Sequence, residues 1–548
     1  MLGFVYHMRE FWRLYVVEIL FFIASLILIN HLYGVSIEKH SFYTAKAESQ
    51  YNAHKQLEPR GIISFSSKDN PYIPAAVNEK ISYIYVAPSE VTSADQGKFL
   101  KTVIPLFTLS EDDWNEKLGD KKSHYDPVEL NPTPDIVKRV KELKLRGLYV
   151  GERLKRSYPN KELAASVLGF VSDPYNNPLG QYGIEEAYQR VLGDIDNPSD
   201  LILTIDYNIQ QKGEQVLDGL MKEWKAESAA LIVEDPKTGK ILAMGQKPGF
   251  DPNSYTDFSL KSFMNQNISS VYEPGSVFKA LTYASALDVG KITPEMTYYD
   301  SGTLTLSGYT INNWDKKAHG VTTMVGVLEN SLNTGAAFIE RTLGHDLFLA
   351  YVKNFGFGAK AGIDLPGEVG GNVNNLKGFK DLHFATASFG QGISVTPIQL
   401  ISAMSTIGNK GVLMKPYLVD TILHSDGTIE VTEPKMGRKI LGEETAKKTV
   451  DALVSVVNHG HVGVVPGYRV AGKTGTAQIP SANGKYDEAA YIHSFFGFAP
   501  ADNPKFIVLI KLVRPIGAPL SGMTVVPAFR EFTKFLLDYY QILPDQKQ

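Results

Sequence analysis

Glu273-Pro274-Gly275-Ser276-Val277-Phe278-Lys279-Ala280 opens a helical pattern that runs through Leu281, Tyr283, Ala284 and Leu287 to a stop at Gly290. The pattern predicts a serine in the first turn of a helix. Free backbone N–H groups and the positive end of the helix dipole favour developing negative charge there. An i,i+3 spacing puts Lys279 on the same face as Ser276. A serine hydroxyl is a weak nucleophile until a base takes its proton, and a lysine desolvated beside another cation can have its pKa lowered enough to be neutral and so do this. Taken alone, a serine after Pro-Gly is more simply an ordinary helix cap.

S-x-x-K by itself is a weak signal, because the chain holds a second copy at Ser36-Ile37-Glu38-Lys39. Its companions are also duplicated. Ser331-Leu332-Asn333 matches S-x-N, as does Ser481-Ala482-Asn483; Lys473-Thr474-Gly475 matches K-T-G, as does Lys237-Thr238-Gly239. Context separates the copies. Ser36 follows an apolar N-terminal run, Ser481 sits in a Pro-Ser-Ala-Asn-Gly loop, and Lys237 lies at the tip of a Pro- and Gly-containing hairpin turn. The remaining three occur in the order S-x-x-K, S-x-N, K-T-G, with the serine at a helix start, S-x-N between two helical segments and K-T-G on a strand.

Around this centre, Ala229 to Glu234 and Lys240 to Gly245 read as two strands joined by the Asp235–Gly239 turn. Tyr468 to Ile479, His493 to Ala499 and Lys505 to Val513 read as three more, and together they predict one antiparallel sheet. A final helix from Val525 to about Leu543, with Phe529, Phe532, Phe535, Leu536 and Tyr539 at helical spacing, would cover a sheet face. Asn197-Pro198-Ser199-Asp200 forms a turn cluster, followed by the strand LILTID and a helical segment from Ile209 to Trp224. A domain therefore begins near residue 201 and runs to 548. Residues 34–200 are polar, with a strand-like run from Ile81 to Ala87 and a charged helical stretch from Pro134 to Lys144. They read as an extended stalk or pedestal.

The N-terminal run LYVVEILFFIASLILI, from Leu14 to Ile29, is apolar apart from Glu18 and Ser25. Extended over residues 11–33 it gives 23 residues, enough to cross a bilayer once as a helix. Arg9 and Arg13 on the short side place residues 1–10 in the cytoplasm and the rest outside. Glu18 within the span points either to contact with another helix or to snorkelling toward a headgroup. No other stretch reaches spanning length, so a multi-pass channel or transporter is excluded.

The chain has 548 residues, 43% of them apolar and 21% charged, which is the composition of a folded globular protein. A formal charge of −4 supplies no cationic field for nucleic acid. With no cysteine, thiol catalysis, disulfides, Cys-ligated zinc and iron–sulfur clusters are excluded. His319 and His493 show no metal-ligand spacing, and no metal or other cofactor is expected.

The ordered triplets are the signature of penicillin-recognising serine enzymes. From about Ala229 onward the chain resembles the transpeptidase domain of penicillin-binding proteins, in Gly362-Ile363-Asp364-Leu365-Pro366-Gly367-Glu368, Phe389-Gly390-Gln391-Gly392 and Lys473-Thr474-Gly475-Thr476-Ala477 as well as in the triplets. Upstream, Arg60-Gly61, Arg156-Ser157-Tyr158-Pro159 and Gly183-Ile184-Glu185 resemble the non-catalytic motifs of the monofunctional class B branch. The stretch after Arg60-Gly61 lacks the Asp-Arg pair usual there. The resemblance implies an α+β fold: a single N-terminal transmembrane helix, an elongated pedestal of dimerisation type, and a transpeptidase domain with an antiparallel sheet covered by helices, like the serine β-lactamases. The short pedestal is closest to the division and sporulation types.

The resemblance also implies roles. Ser276 attacks the penultimate D-Ala carbonyl of a peptidoglycan stem peptide, releases the terminal D-Ala, and is freed when a neighbouring stem's amine takes the acyl group. Lys279 is its base, Ser331 passes the proton to the leaving amine, and Asn333 holds Lys279 and the substrate amide. Lys473 attracts the substrate carboxylate, the hydroxyls of Thr474 and Thr476 bind it, and Gly475 lets the backbone come close. The backbone N–H groups of Ser276 and Thr476 form an oxyanion hole, worth about 3 to 4 kcal/mol per donor. β-Lactams trap Ser276. Asp364, Gln391 and their neighbouring glycines are expected to be structural, and Arg60, Gly61, Arg156, Tyr158 and Glu185 to serve the pedestal and interdomain packing.

A glycosyltransferase domain would have to lie between anchor and transpeptidase. Glu111-Asp112-Asp113 is the nearest echo of its acidic signature, and the space is already taken by the pedestal motifs. A separate glycan polymerase of the SEDS type is therefore the expected membrane partner. A β-lactamase or β-lactam sensor, a D,D-carboxypeptidase and a non-catalytic scaffold share the fold. The first lacks a Glu-x-x-Leu-Asn deacylating loop here, a sensor would carry several membrane helices, and the intact triplets argue against a scaffold. The expected location is the bacterial cell membrane, with the catalytic domain outside it.

Overall fold

The computed structural model describes residues 16–17, 19–29, 32–33, 59–172, 178–480 and 486–545. Within the expected span, residues 16–17, 19–29 and 32–33 are helical and exposed, and Glu18 lies outside the described residues, as do Ser36 and Ser481. Among the described residues no helix is long and apolar enough to cross a membrane.

From Pro59 onward the chain forms strands β1 (Ile63–Ser66) and β2 (Ile73–Val86). One compact unit includes Asn78–Lys155, and Arg60–Val77 with Arg156–Gln548 makes the second. In the first unit, the end of β2 and the helices α1 (Gln96–Val103) and α2 (Glu111–Lys117) are followed by strand β3 (Asp126–Glu129) and helix α3 (Pro134–Leu143). Strand β3 pairs antiparallel with β2, Ile84 opposite Glu129. Trp114, fully buried, meets Phe99 and Phe107 edge-on and anchors a core with Ile84, Val86 and Val140. Glu111-Asp112-Asp113 is the first turn of α2, where Asp113 accepts from the backbone N–H and hydroxyl of Ser110 at 2.8 and 2.7 Å. The acidic triplet is thus a helix start with a capping box.

Among the described residues the second unit includes a five-stranded sheet and strands of a seven-stranded one, with four two-stranded sheets besides. Strand β4 (Asp200–Asp206), the LILTID run, pairs parallel with β1, Ile63 opposite Leu201, so residues 60–66 fold with the later part of the chain. Helix α4 (Tyr207–Trp224) follows, started by Asp206, which accepts from the N–H groups of Asn208 and Ile209. Strands β5 (Ser228–Glu234) and β6 (Ile241–Lys247) form the hairpin expected around Asp235–Gly239. Helices α5 (Lys279–Asp288), α6 (Asn333–Leu343) and α7 (Pro397–Gly408) come next, then strand β7 (Val419–Leu423), which pairs antiparallel with β4. Helix α8 (Glu443–Gly460) leads to strands β8 (Ala471–Pro480), β9 (Tyr486–Phe498) and β10 (Ile507–Val513) and the closing helix α9 (Val525–Tyr539).

Strands β8, β9, β10, β5 and β6, in that order, make the expected antiparallel sheet. Alternation sorts its side chains to two faces. Phe495, Val508, Ile510, Leu231 and Val233 pack with Phe529, Phe532 and Leu536 of α9 and with α4. Phe496, Leu509 and Ile232 face the other way, into a core with Leu281 of α5 and Ile401 and Met404 of α7. Strand β8 is an edge strand, and it carries K-T-G.

Candidate active site

The helix expected from residue 273 begins differently. Gly275 has φ +62°, which breaks the α conformation, so Gly275–Phe278 is a tight 3₁₀ turn and Lys279 is the first residue of α5. In a 3₁₀ turn residues i and i+3 eclipse, which keeps Ser276 and Lys279 in line. Ser276 is half-buried, while its neighbours Val277 and Phe278 are buried, Phe278 among Phe348 and Phe357. The turn is held from two sides. Gly390, at φ +77°, lies so close that a Cβ there would fall 2.3 Å from the Gly275 carbonyl oxygen. A Cβ on Gly475 would meet Ser494 Oγ at 2.4 Å and Val277 Cγ2 at 2.7 Å. Both motif glycines therefore allow backbone to rest against the Ser276 turn.

Ser331 lies between the helix Met324–Glu329 and α6, in the left-handed region at φ +53°, a conformation that costs a serine about 1–3 kcal/mol. Its environment holds it there. Lys279 Nζ donates to the Ser331 carbonyl at 2.5 Å and to its hydroxyl at 3.2 Å, and Lys473 Nζ donates to the same hydroxyl at 3.1 Å. Both lysines are 1% exposed. Burial, and then the charge of Lys473, hold Lys279 well below the ordinary lysine value. Burial alone brings Lys473 down to about 7. Two amines converge on one serine oxygen in a dry pocket, beside the Ser276 turn.

Lys279 hydrogen-bonds Ser331 and not Ser276. Asn333 Nδ2 donates to the Asn312 carbonyl at 2.8 Å, and the expected hydrogen bond between Lys279 Nζ and Asn333 is not formed. Lys279 is already taken by both oxygens of Ser331. The S-x-N turn rests on residues the sequence did not single out. Thr334 Oγ1 donates to Asp300 at 2.6 Å, and Asn313 joins them, donating to Asp300 at 2.9 Å and accepting from the Thr334 N–H at 3.3 Å.

On β8, Thr474 lies within reach of Lys473 Nζ through its carbonyl at 3.3 Å and its hydroxyl at 3.4 Å. The Thr476 hydroxyl is engaged inside the protein, donating to Ser521 Oγ at 3.1 Å and accepting from the Ser521 N–H at 3.3 Å. Ser521 carried no signal in the sequence beyond preceding the last helix. His493 is buried and bonded through Nδ1 to Thr524 Oγ1 at 2.9 Å. Asp364 accepts from the N–H groups of Leu418 and Val419 and from the Tyr188 hydroxyl, the structural role expected of it.

Arg60, Arg156, Tyr158 and Glu185 meet inside one compact unit. Arg60 Nε and Arg156 Nε each lie 2.7 Å from a Glu185 carboxylate oxygen, and Arg156 donates to the Gly61 carbonyl at 2.8 Å. Burial alone would raise the Glu185 pKa; the two guanidiniums outweigh it and hold the carboxyl below its ordinary value. Gly61 has no room for a side chain, since a Cβ would fall 1.9 Å from the Ser199 carbonyl oxygen.

A serine on a tight turn, with a lysine three residues on, a second serine between two lysines and a K-T-G edge strand, defines the penicillin-recognising class of serine enzymes. Residues 229–533 match the penicillin binding protein transpeptidase domain, and residues 59–197 match the penicillin-binding protein dimerisation domain. The chain belongs to the class B penicillin-binding proteins. It is 33% identical to Stage V sporulation protein D of Bacillus subtilis (strain 168) over 88% of this chain and 78% of the relative. It is 28% identical to peptidoglycan D,D-transpeptidase FtsI of Escherichia coli (strain K12) over 89% of this chain and 84% of the relative. Penicillin binding protein 3 of Mycobacterium tuberculosis, in its complex with aztreonam, has the same fold, with a TM-score of 0.70 at 24% identity, covering 90% of this chain and 98% of that one.

Proposed function

We propose that this protein is a membrane-anchored peptidoglycan D,D-transpeptidase that works through an acyl-enzyme on Ser276. The observation that carries the proposal is the shared hydroxyl of Ser331, which accepts from both Lys279 and Lys473 beside the Ser276 turn. Lys279, kept neutral by burial and by Lys473, takes the Ser276 proton as Oγ adds to the penultimate D-Ala carbonyl carbon. The N–H groups of Ser276 and Thr476 hold the resulting oxyanion. Collapse breaks the C–N bond to the terminal D-Ala, and Ser331 delivers a proton to that nitrogen. An amine of a second stem then attacks the ester, its proton leaves by the same route, and Ser276 is restored. Lys473, Thr474 and Gly475 line the edge strand, whose unpaired backbone groups can add the substrate as a further strand. Lys473, charged below about pH 7, attracts the terminal carboxylate. Asn333, fixed on Asn312, faces the substrate amide. β-Lactams acylate Ser276 in the same way, and the reaction calls on no cofactor.

The test is labelling of the full chain with fluorescent penicillin, followed by location of the adduct by peptide mass in the parent, Ser276→Ala and Ser36→Ala. A stable adduct on Ser276, lost only in Ser276→Ala, supports the proposal. Rapid loss of label would make the protein a β-lactamase, and no label on folded protein would make it a scaffold. Release of D-Ala with water as the sole acceptor would make it a D,D-carboxypeptidase.

The proposal includes the organisation of the chain: residues 1–10 in the cytoplasm, 11–33 as anchor, 34–200 as pedestal with Arg60, Gly61, Arg156 and Glu185 as its structural motifs, and 201–548 as the transpeptidase domain. Exposed Val16, Val17, Ile19–Ile23 and Leu26–Ile29 support the anchor, as does Ser25, whose hydroxyl donates to the Phe21 carbonyl and so needs no water. The expected partner is a SEDS-type glycan polymerase, with Glu18 among the contacts. Recovery in the membrane fraction, with residues after 34 open to external protease, tests the topology; release of the protein by carbonate would overturn it.

A further inference from the structure

The K-T-G strand is paired on one side only, so its position against Ser276 depends on what touches its two faces. Gly475 and Thr476 point to opposite faces. On the nucleophile side, bare Gly475 rests on Val277 and on the Pro274 carbonyl. On the α9 side, Thr476 and its cross-strand neighbour His493 both meet the short segment that leads into α9. There Thr476 Oγ1 donates to Ser521 Oγ at 3.1 Å and accepts from the Ser521 N–H at 3.3 Å. Thr524 Oγ1 lies 3.4 Å from the Ser521 carbonyl and is hydrogen-bonded to Nδ1 of His493 at 2.9 Å. The other ring nitrogen of His493, Nε2, is buried and has no hydrogen-bond partner.

We propose that Ser521 is a positioning residue for acylation: it clasps the Thr476 hydroxyl and so sets the height of the oxyanion strand over Ser276. The proposal rests on the reading of the Thr476 N–H as an oxyanion donor. In this structure the Thr476 hydroxyl, expected among the ligands of the substrate carboxylate, is engaged by Ser521. The clasp works at a distance from the bound substrate. Its loss leaves the Thr476 N–H in the protein and lets it drift. Oxyanion donors act through placement within a few tenths of an ångström of the developing charge, so drift lowers the rate of the chemical step more than the affinity. His493, kept neutral by burial, holds the far end of the clasp without a charge that would compete for the oxyanion.

The test is a double-mutant cycle of Ser521→Ala and Thr476→Val in the full chain, read as the acylation rate constant and, separately, the dissociation constant for fluorescent penicillin. Expected is a loss of about tenfold in acylation rate in each single variant, with the dissociation constant within twofold of the parent and no further loss in the double variant. Ser521→Thr, which keeps both the hydroxyl and the N–H, restores the rate. An unchanged rate in Ser521→Ala overturns the proposal, and so do losses that multiply in the double variant or that fall on the dissociation constant. If Ser521→Ala does not fold, Thr524→Val cuts the clasp one link away and carries the same expectation. A parent protein that forms no adduct on Ser276 would instead overturn the transpeptidase reading.

Discussion

Lys279 and Lys473 donate to one oxygen, the hydroxyl of Ser331, at 3.2 and 3.1 Å. Ser331 therefore offers its own proton while two amines occupy its lone pairs. Ser331→Ala is expected to lower acylation of Ser276 by about a hundredfold, within the range for loss of a proton-transfer group. Stopped-flow labelling measures it; a loss below threefold would remove Ser331 from the proton path.

The buried site carries two lysines and no carboxylate among the causes of their shifts. Acylation needs Lys279 neutral and gains from Lys473 charged. Lys473 loses its proton near pH 7, so capture of a carboxylate-bearing β-lactam weakens above that pH. In Lys473→Arg the guanidinium stays charged, and the alkaline limb of the pH profile is expected to move above pH 9. A limb that stays in place would assign it to another group.

A single carboxylate, that of Glu185, pairs with two guanidiniums, and all three side chains are buried. Glu185→Ala leaves Arg60 and Arg156 facing each other without an anion, at a cost of about 3–5 kcal/mol. Thermal unfolding of the variant measures it. A shift within the error of the parent would mean that the arginines find water or another acceptor.

A methyl group at position 390 would strike the Gly275 backbone, in a conformation that glycine alone adopts freely. Gly390→Ala is expected to slow acylation at least tenfold, because the carbonyl that must yield belongs to the Ser276 turn. The labelling rate at equal folded fraction is the readout, and a rate equal to the parent's would show that the turn does not depend on this contact.

Burial lowers the His493 pKa to about 4, whereas the unfolded chain binds a proton near 6.5. Between those values the unfolded state holds more protons, so stability is complete above about pH 6.5 and falls as the pH drops. The slope is at most about 1.4 kcal/mol per pH unit. Glu234 and Glu340, raised by burial to about 7 and about 8, slope the opposite way, so the comparison must be made against a variant. His493→Asn is expected to lose less stability than the parent between pH 7 and 5.5 by denaturant unfolding; equal losses would show that His493 takes up its proton in the folded state.

The local chemistry of this chain was legible in its sequence. The hairpin around Asp235–Gly239, the three later strands and the apolar stripe of α9 each announce themselves by a period or a turn residue, and all form, with β8 starting at Ala471, β9 already at Tyr486 and α9 ending at Tyr539. The order of the three triplets, with their helix, loop and strand settings, singled out Ser276, Ser331 and Lys473 from their duplicates. Only the tertiary structure determined that LILTID would pair with Ile63–Ser66, that Glu185 would join Arg60 to Arg156, that Asn333 would turn to Asn312, and that Ser521 would hold Thr476. None of these relations has a period. Each joins groups separated in the chain through an ion pair or hydrogen bonds, and which partner is found depends on what the fold brings within reach. Burial itself belongs to the same category: Lys279 and Lys473 have the same side chain as every other lysine in the chain, and only enclosure by the fold lowers their pKa values enough for proton transfer.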